Sequence, residues 1–336
     1  MQRMRKRWVL YTVILILIFF AGILIDTTAT LISNRHCTLR VHKDEGWTRI
    51  LKDFDKHGCP TGLGLTFAAK SGLLERALGI PMQGTVRCDT TFIRCLVQIA
   101  HPVMVSLTII PGRDVWQNGR DIARQLGLPD SEVLPLLKDK GLARSFGIPL
   151  NQDSKVYSPF EGFLAPDTYK FFPGTAPREV LKVLVKEQLN RLKRHPCTLK
   201  PYQCITLASI VEKESADPDD MRKVARVLLN RLKKGMPLQS DPTMLYGPSG
   251  LAKKTTLQLK KDSSNPYNTY THTGLPPGPI CSPGLSAIKA VSNPYNGPDA
   301  SRLLYFVSKR DGTHHFSTTY KEHLKAVRRF LKQKKR

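Results

Sequence analysis

Hydrophobic residues recur at helical spacing in the segment 46–58 of this chain. Its apolar positions are Trp47, Ile50, Leu51 and Phe54, which fall on one face of a helix. The segment closes with a glycine, a residue that commonly ends helices. The pattern therefore predicts an amphipathic helix in this segment.

The same reasoning predicts the elements of the remaining chain. Residues 65–80 predict a helix that is interrupted near Ser71 and Gly72, because glycine disfavours a helix interior. The β-branched run at 103–110 predicts a strand that ends in a Pro-Gly turn. Further predicted elements are helices at 115–126, 131–138, 176–194, 202–215 and 217–235, a structured loop at 158–175, a strand at 303–308 and a basic helix from residue 320.

A hydrophobic run of another kind lies at residues 8–25, which carry no charge and follow a basic tail at residues 1–7. At about 1.5 Å per residue the run can cross a hydrocarbon core ~30 Å thick. The positive charges before it favour a cytoplasmic N-terminus. We therefore expect a single-pass anchor in the inner membrane, with the rest of the chain on the extracytoplasmic side. A cleaved signal peptide and a buried soluble helix are the alternatives.

The charge balance points to an anionic partner. The 336 residues contain 52 Lys and Arg against 27 Asp and Glu, for a formal net charge of +25. Nucleic acid, a membrane surface and an acidic polymer all fit such a charge. The chain has no zinc-finger spacing, RNA-binding signature or basic-zipper pattern, so charge alone does not establish nucleic-acid binding, and we expect none.

The seven cysteines cannot all pair with one another, since their number is odd. In an oxidising compartment, Cys88 with Cys95 and Cys197 with Cys204 are candidate local bridges. The alternative for each is a small buried apolar residue. No C-x-x-C spacing is present, so we expect neither a metal site nor a cofactor.

Two segments rich in proline, glycine, aromatic and polar residues, 236–247 and 265–284, separate the later helices. Long loops of this kind inside a folded domain commonly build a site. Tyrosine, asparagine and threonine offer the flat faces and hydrogen bonds that a sugar-binding groove needs. The alternative is an irregular surface loop.

The stretch SIVEKES ends an apolar helical segment with two carboxylates, Glu212 and Glu214. At helical spacing, Glu214 shares a face with Leu207 and Ile210, whereas Glu212 lies on nearly the opposite side. The two therefore cannot enter one cleft as a paired acid and base. A single carboxyl at the edge of an apolar face can have a raised pKa and act as a general acid. The alternative is a solvated helix end, and periodicity does not choose between the two glutamates.

The chain resembles the endolytic murein transglycosylase family (YceG-like, MltG). The resemblance is carried by LASIVEKES, VARVLLNRLKKGMPLQSDPTMLYG, NPYNTYTHTGLPPGPICSPG and LLYFVSKRDGTHHFSTTYKEH, and upstream by EGFLAPDTYKF and IIPG. These motifs stand in the family's order over about two thirds of the chain.

The resemblance implies an α+β fold. Its parts would be the transmembrane anchor, a small divergent LysM-like α/β subdomain at 36–105 and a larger mixed α+β catalytic domain at 106–336. The segment QGTVRCDTTFIRCL is only a loose match to the glycine-tyrosine hallmark of the LysM-like part.

The resemblance also implies a reaction. Members cleave the β-1,4 bond between N-acetylmuramic acid and N-acetylglucosamine within peptidoglycan and leave a 1,6-anhydromuramyl end. The second glutamate of the family's E-K-E motif falls on Glu214, which would serve as acid and then base. The substrate supplies the nucleophile, so a second carboxylate is not required.

The other site residues implied by the resemblance are candidates for substrate binding. Glu161 would position substrate or polarise Glu214, or instead pair with a cation. The alternative for the group Gln239, Ser240, Asp241 and Thr243 is a capped turn ahead of a helix. His314, His315 and Phe316 are expected to pack the domain. The candidate substrate-binding residues are Glu161, Gln239, Ser240, Asp241, Thr243, Tyr267, Asn268, Thr269, Tyr270 and Pro276, with Leu275, Pro277 and Gly278 shaping the wall.

The function expected from the resemblance is a membrane-anchored lytic transglycosylase that ends glycan elongation. Its expected partners are peptidoglycan strands, the inner membrane and glycan-polymerising synthases. The alternative is a non-catalytic envelope scaffold that binds peptidoglycan through its basic surface.

Overall fold

The structure is a computed structural model. It describes residues 20–21, 23–31, 34–41, 45–59, 61–79, 81, 84–101, 104–150, 155–172, 174–248, 250–252 and 257–332. The chain divides into two compact units. One comprises Met1–Ser106 and Lys170–Thr175, and the other comprises Leu107–Tyr169 and Ala176–Arg336.

The first unit combines one antiparallel strand pair with short helices. Strand β1 (Asn34–Val41) pairs with β2 (Gly84–Thr91), with Leu39 opposite Val86. The helices are α1 (residues 23–31), α2 (Trp47–Lys56), α3 (Gly62–Lys70) and α4 (Leu73–Leu78), which precede β2, and α5 (Phe92–Ala100), which follows it. The LysM-like character of this unit and its glycan binding stay predictions.

The helices predicted for the first unit are confirmed. Trp47, Ile50, Leu51 and Phe54 of α2 are all buried in the core of this unit, as their spacing predicted. The expected interruption lies between α3 and α4 at Gly72, whose φ of 74° is in the left-handed region that glycine adopts without strain.

The second unit is mainly helical. Strand β3 (Val105–Thr108) pairs with β4 (Thr168–Phe171), and each of these two strands has residues in both units. The short strand pairs that belong to the second unit alone are β5 (Tyr246–Gly247) with β6 (Gly250–Leu251), and β7 (Tyr305–Ser308) with β8 (His314–Ser317). The helices are α6 (Val115–Leu126), α7 (Asp130–Val133), α8 (Lys140–Ser145), α9 (Pro177–Arg194), α10 (Pro201–Glu214), α11 (Pro218–Lys233), α12 (Asp241–Leu245), α13 (Leu257–Lys261), α14 (Leu285–Ser292) and α15 (Tyr320–Val327), with 3₁₀ turns at Pro135–Lys138 and Ala300–Arg302 and a wider last turn at Arg328–Lys332.

Most of the predicted elements of this unit are confirmed to within one or two residues at their ends. The prediction of a loop throughout 158–175 is wrong in part, because Thr168–Phe171 forms β4. The elements that were not anticipated are the short helices α8, α12 and α13, the β5–β6 pair, helix α14, and β8, whose pairing places Phe316 opposite Phe306. Helix α14 packs against α10 and α11, which are distant in the sequence, whereas β8 forms a hairpin with the neighbouring strand β7.

Helix α10 forms the centre of the second unit and positions the candidate site. Its residues from Cys204 to Val211 are all buried, and it packs against α11 and α14. A helix that is buried around most of its circumference has a fixed orientation, so the residues at its end are held in place.

Of the two candidate bridges, Cys197–Cys204 is present as a disulfide. The Cys88–Cys95 alternative is wrong, since Cys95 is a buried thiol. The disulfide joins α10 to the segment that precedes it.

The predicted membrane anchor, residues 8–25, lies largely outside the described residues. Within the described part of the chain, the structure contains no helix with the length and apolar character that a membrane crossing requires.

Candidate active site

The two glutamates at the end of α10 bind different parts of the protein, as their spacing predicts. Glu212 accepts a hydrogen bond from the backbone N–H of Gly284 at 2.9 Å. Glu214 accepts a hydrogen bond from the hydroxyl of Ser240. The carboxylates therefore have separate environments and separate roles.

Glu212 is in a structural position. Gly284 directly precedes α14, so the Glu212 carboxylate lies at the N-terminus of that helix, where its charge is favoured by the helix dipole. Burial raises the pKa of Glu212, and the bond from Gly284 opposes this rise. The neighbouring Lys213 donates to the carbonyl of Gly112 at 3.2 Å.

Glu214 has the properties of a general acid. Its side chain is half-buried, and burial raises its pKa to about 7. The Ser240 hydrogen bond and the charge of Arg231 lower this pKa, while the charge of Asp241 raises it. A carboxyl with this pKa is protonated in a large fraction of molecules near neutral pH and can give up its proton there.

A network of hydroxyls holds Ser240 in place. The Oγ1 atom of Thr269 accepts from the backbone N–H of Ser240 at 3.0 Å and lies 2.7 Å from the hydroxyl of Thr243. Thr243 in turn donates to the Ser240 carbonyl at 2.7 Å. Ser240, Thr243 and Thr269 are all buried, so their role in the structure is to fix the hydroxyl that contacts Glu214.

Gln239 directly precedes this network and has an unusual backbone conformation. Its φ of 52° is in the left-handed region, which is uncommon for a residue with a side chain. Its N–H donates to the carbonyl of Thr269 at 3.0 Å, which ties this conformation to the loop that carries Thr269. The Gln239 side chain is exposed and available to a substrate.

Asp241 joins two further groups at the edge of the site. Its Oδ1 atom accepts from the hydroxyl of Tyr270 and lies 3.1 Å from the Nζ atom of Lys260. The ammonium of Lys260 also lies 4.7 Å from the centroid of the Tyr270 ring. These three side chains are only partly buried, so they present a polar surface next to Ser240.

Asn268 stabilises the loop from within. Its side-chain amide donates to the carbonyls of Leu259 at 2.9 Å and Asp262 at 2.8 Å, and its Oδ1 atom accepts from the N–H of Tyr270 at 3.0 Å. Asn268 is fully buried. It connects the loop to α13 and the turn after it.

Tyr267 packs inside the same loop. Its ring stacks on Tyr157, with centroids 5.2 Å apart, and lies 4.7 Å from the ring of Tyr246. Tyr267 is fully buried, and its hydroxyl has no hydrogen-bond partner among the described residues. The structure thus gives Tyr267, Asn268 and Thr269 a supporting place behind the surface, and direct sugar contact by them stays a prediction.

Glu161 lies in a second buried network. Its Oε2 atom accepts from the N–H of Val115 at 3.0 Å and from the hydroxyl of Tyr246 at 2.7 Å. Its Oε1 atom accepts from the N–H of Gly162 at 3.2 Å. These donors are neutral groups rather than the cation that one sequence-based alternative expected. Burial raises the pKa of Glu161 to about 8.

Pro276 lies in another part of this loop. It lines a cleft together with Leu275, Pro277 and residues of the first half of α10, including Tyr202 and Thr206. The Pro276 side chain itself is buried, so it shapes the cleft wall, as Leu275 and Pro277 were expected to do.

Sequence reasoning missed Arg231. Its guanidinium donates to the carbonyls of Leu238 and Leu304, each at 2.7 Å, and its charge lowers the pKa of Glu214. The signal was available in the sequence, because Arg231 falls on the apolar face of α11 with Val224 and Leu228 at helical spacing. A cation on an apolar face indicates a buried partner or a function.

Comparison with known proteins identifies related chains. The model of the YceG-like family matches residues 86–329. An endolytic murein transglycosylase of Bacillus subtilis is 33% identical over 241 residues, which cover 68% of this chain and 66% of that protein. An endolytic murein transglycosylase of Streptococcus pneumoniae is 31% identical over 193 residues, which cover 54% of this chain but only 34% of that protein.

One solved structure has a related fold. A crystal structure of a YceG-like protein from Listeria monocytogenes aligns with a TM-score of 0.58 and 24% sequence identity. The alignment covers 86% of this chain and 98% of that one. At this identity the likeness concerns the fold.

Proposed function

Since the chain belongs to the YceG-like family, we propose that it is a lytic transglycosylase that cleaves glycan strands of peptidoglycan internally. The bond cleaved is the β-1,4 bond between N-acetylmuramic acid and N-acetylglucosamine, and the product carries a 1,6-anhydromuramyl end. The proposal is supported by the names of the curated relatives, which are endolytic murein transglycosylases.

The observation that carries the proposal is the environment of Glu214. Its carboxyl ends a buried helix, is oriented by the Ser240 hydroxyl and has a pKa of about 7. Glu212, the other acid of the E-K-E motif, is engaged at the start of α14. One carboxyl with this pKa can be protonated for the first half of a reaction and ionised for the second.

The proposed mechanism uses Glu214 twice. Protonated Glu214 donates its proton to the glycosidic oxygen while the bond from that oxygen to C1 of muramic acid breaks. The resulting carboxylate takes the proton of the C6 hydroxyl as the C6 oxygen bonds to C1. The proton returns to Glu214, water is not consumed, and the product is the anhydro sugar.

Arg231 and Asp241 adjust this cycle in opposite directions. The cation of Arg231 favours the carboxylate that forms after the first proton transfer, whereas the charge of Asp241 favours the protonated acid. Together with burial they keep the pKa of Glu214 near 7, where one carboxyl can both give and take a proton.

The proposal extends to location and partners. Residues 8–25 would anchor the chain in the inner membrane, with both folded units on the extracytoplasmic side beside nascent glycan strands. This location is supported by the absence of charged residues in 8–25 and by the basic residues that precede this run. Cleavage there would end strand elongation, next to the synthases that polymerise glycan.

The test is a product analysis. The full chain in detergent, as wild type, Glu214→Gln and Glu212→Gln, is incubated with purified peptidoglycan, and the products are analysed by mass spectrometry. We expect anhydromuramyl ends from the wild type and from Glu212→Gln, and none from Glu214→Gln.

The other outcomes have distinct meanings. Reducing ends in place of anhydro ends would indicate a hydrolase that uses water as nucleophile. Absence of products from folded wild-type protein that still binds peptidoglycan would indicate the non-catalytic scaffold.

A further inference from the structure

A separate cleft lies in the second unit between α11, the loop after α14 and the β7–β8 hairpin. Lys223 of α11, Tyr295 of the loop and Phe316 of β8 form part of its walls. None of the residues that surround Glu214 contributes to it. The cleft includes the His-His-Phe segment, which the proposed reaction does not use.

Two lysines line this cleft, Lys223 and Lys309, and Lys223 is the one that lies over its aromatic walls. Its Nζ atom lies 5.7 Å from the centroid of the Tyr295 ring and 5.6 Å from that of Phe316. An ammonium over aromatic faces is attracted to them, but its charge is not neutralised as it is in an ion pair. The structure shows no ion pair between Lys223 and another described residue.

The acidic residues that line the cleft, Asp299 and Glu322, each have partners of their own. Asp299 forms an ion pair with Arg302. The Oε2 atom of Glu322 accepts three hydrogen bonds of 3.1 Å, two from Thr318 and one from the N–H of Thr319. The cleft therefore offers an ammonium to an incoming anion while its own carboxylates are occupied.

The walls of the cleft are held by hydrogen bonds. Arg222 donates to the carbonyl of Asn293 at 3.1 Å, and Arg226 donates to the carbonyl of Tyr295 at 2.6 Å. These bonds fix the loop against α11. A site that is formed before binding loses less entropy when a ligand arrives.

One polar group of the wall has no partner. Ser317, which lines the cleft from β8, is only 3% exposed, and its hydroxyl has no hydrogen-bond partner among the described residues. A buried hydroxyl without a partner is costly. A polar ligand atom that enters the cleft deeply enough can satisfy it.

We propose that this cleft binds a carboxylate of the peptide that is attached to the glycan strand. The inference rests on the proposed function, because peptidoglycan is the polymer that brings sugars and peptides together. Its N-acetylated sugars are neutral when the muramyl carboxyl is joined to peptide, so the negative charge of the repeating unit resides in the peptide. Lys223 pairs with that carboxylate, and the rings of Tyr295 and Phe316 contact the apolar side chains beside it.

The test is a binding measurement that does not need turnover. The full chain carrying Glu214→Gln is titrated by calorimetry with a synthetic disaccharide-pentapeptide that has free carboxylates, and with the same compound after amidation. We expect the free carboxylates to strengthen binding about tenfold, and Lys223→Met to remove that difference. Methionine keeps the length of the side chain over the two rings and removes only its charge.

A matched control is Lys193→Met, which removes an exposed cation of α9 and is expected to keep the tenfold difference. Equal binding of both ligands, no measurable binding, or an unchanged difference in Lys223→Met would overturn the proposal. The proposal would also be overturned if a glycerol phosphate oligomer bound in a way that requires Lys223 while the peptide ligands bound equally well with and without free carboxylates. If the wild type forms anhydromuramyl ends but free carboxylates do not strengthen binding, only the cleft assignment fails. If no anhydromuramyl ends form, the proposed reaction fails, and the dependence of binding on free carboxylates still tests the cleft.

Discussion

The hydroxyl of Ser240 donates a hydrogen bond to the Oε1 atom of Glu214, and this bond connects the end of α10 to the start of α12. Burial raises the pKa of Glu214 to about 7, and the bond from Ser240 acts in the opposite direction. Ser240 is itself held by Thr243 and Thr269. The loop network therefore lowers the pH at which the buried Glu214 releases its proton.

Replacing Ser240 with alanine should move the pH profile of cleavage to higher pH. A general acid has to be protonated before the reaction, so wild-type kcat/KM should fall as pH rises through about 7. Alanine removes a bond that favours the carboxylate, so the pKa of Glu214 rises and the fall begins at higher pH. The measurement is kcat/KM for release of glycan fragments as a function of pH.

The control for this prediction is Ser240→Thr, which retains the hydroxyl and should keep the wild-type profile. An unchanged profile in Ser240→Ala, with a lower rate at every pH, would mean that Ser240 orients Glu214 without changing its pKa. A profile that moves to lower pH would contradict the proposed direction.

The two glutamates of the E-K-E motif should respond to substitution in different ways. Glu214→Gln should lower the cleavage rate by roughly 10³-fold and leave the fold intact, because it removes the proton that is transferred. Glu212→Ala should keep activity within about threefold of wild type and lower the free energy of unfolding by about 1 kcal/mol, because it removes the acceptor for the Gly284 N–H. Activity and chemical denaturation are measured on both variants, and loss of activity in a stable Glu212→Ala would contradict the assignment.

The sequence predicts the helices well because their information is local. The four apolar residues of α2, Trp47 to Phe54, are sufficient to orient that helix on its core. Strand β8 gives no such signal, because the segment from His314 to Ser317 does not alternate between apolar and polar residues. It becomes a strand by pairing with β7, a contact that sequence periodicity does not contain.

A sequence motif selects the candidate acid, whereas the burial of the residues around it cannot be predicted from a motif. The motif resemblance assigned the acid to Glu214. The exposure of the neighbouring loop was harder to predict, since Tyr267, Asn268 and Thr269 have the composition of a sugar-contacting surface yet are buried. Asn268 is buried because its amide bonds backbone groups of α13 and the loop. Arg231 was missed because it acts on Glu214 from another helix, a relation that only the packing of α10 and α11 creates.

The disulfide between Cys197 and Cys204 should stabilise the second unit without affecting cleavage. It closes a short loop, with a sequence separation of 7, so the double variant Cys197→Ser with Cys204→Ser should lose about 2 kcal/mol in the free energy of unfolding. Urea denaturation without reductant measures this loss, because reductant would also break the disulfide of Cys59. Thr198→Ala, within the same loop, is the matched control. A double variant as stable as the wild type would show that the disulfide contributes nothing to the folded state.

The last prediction concerns the buried carboxyl of Glu161, whose folded-state pKa of about 8 exceeds the ordinary value of 4.5. Between these two values the unfolded chain has released the proton while the folded protein still holds it. The free energy of unfolding should therefore fall as pH rises through this window, by up to about 1.4 kcal/mol per pH unit. Glu214 adds a similar fall, but only up to about pH 7. From about pH 7 to about pH 8 the contribution of Glu161 exceeds that of Glu214, which is already half ionised at its pKa of about 7.

Glu161→Gln should make the fall in this interval smaller, because glutamine does not titrate and can still accept from Val115 and Tyr246. Urea denaturation of wild type and variant at several pH values measures the two slopes. The matched control is Glu132→Gln, which changes an exposed glutamate of α7 and should leave the wild-type slope. If Glu161→Gln and the wild type have the same slope between about pH 7 and pH 8, Glu161 is already ionised in the folded protein. It would then act as a fixed negative charge beside Tyr246 rather than as a neutral acid.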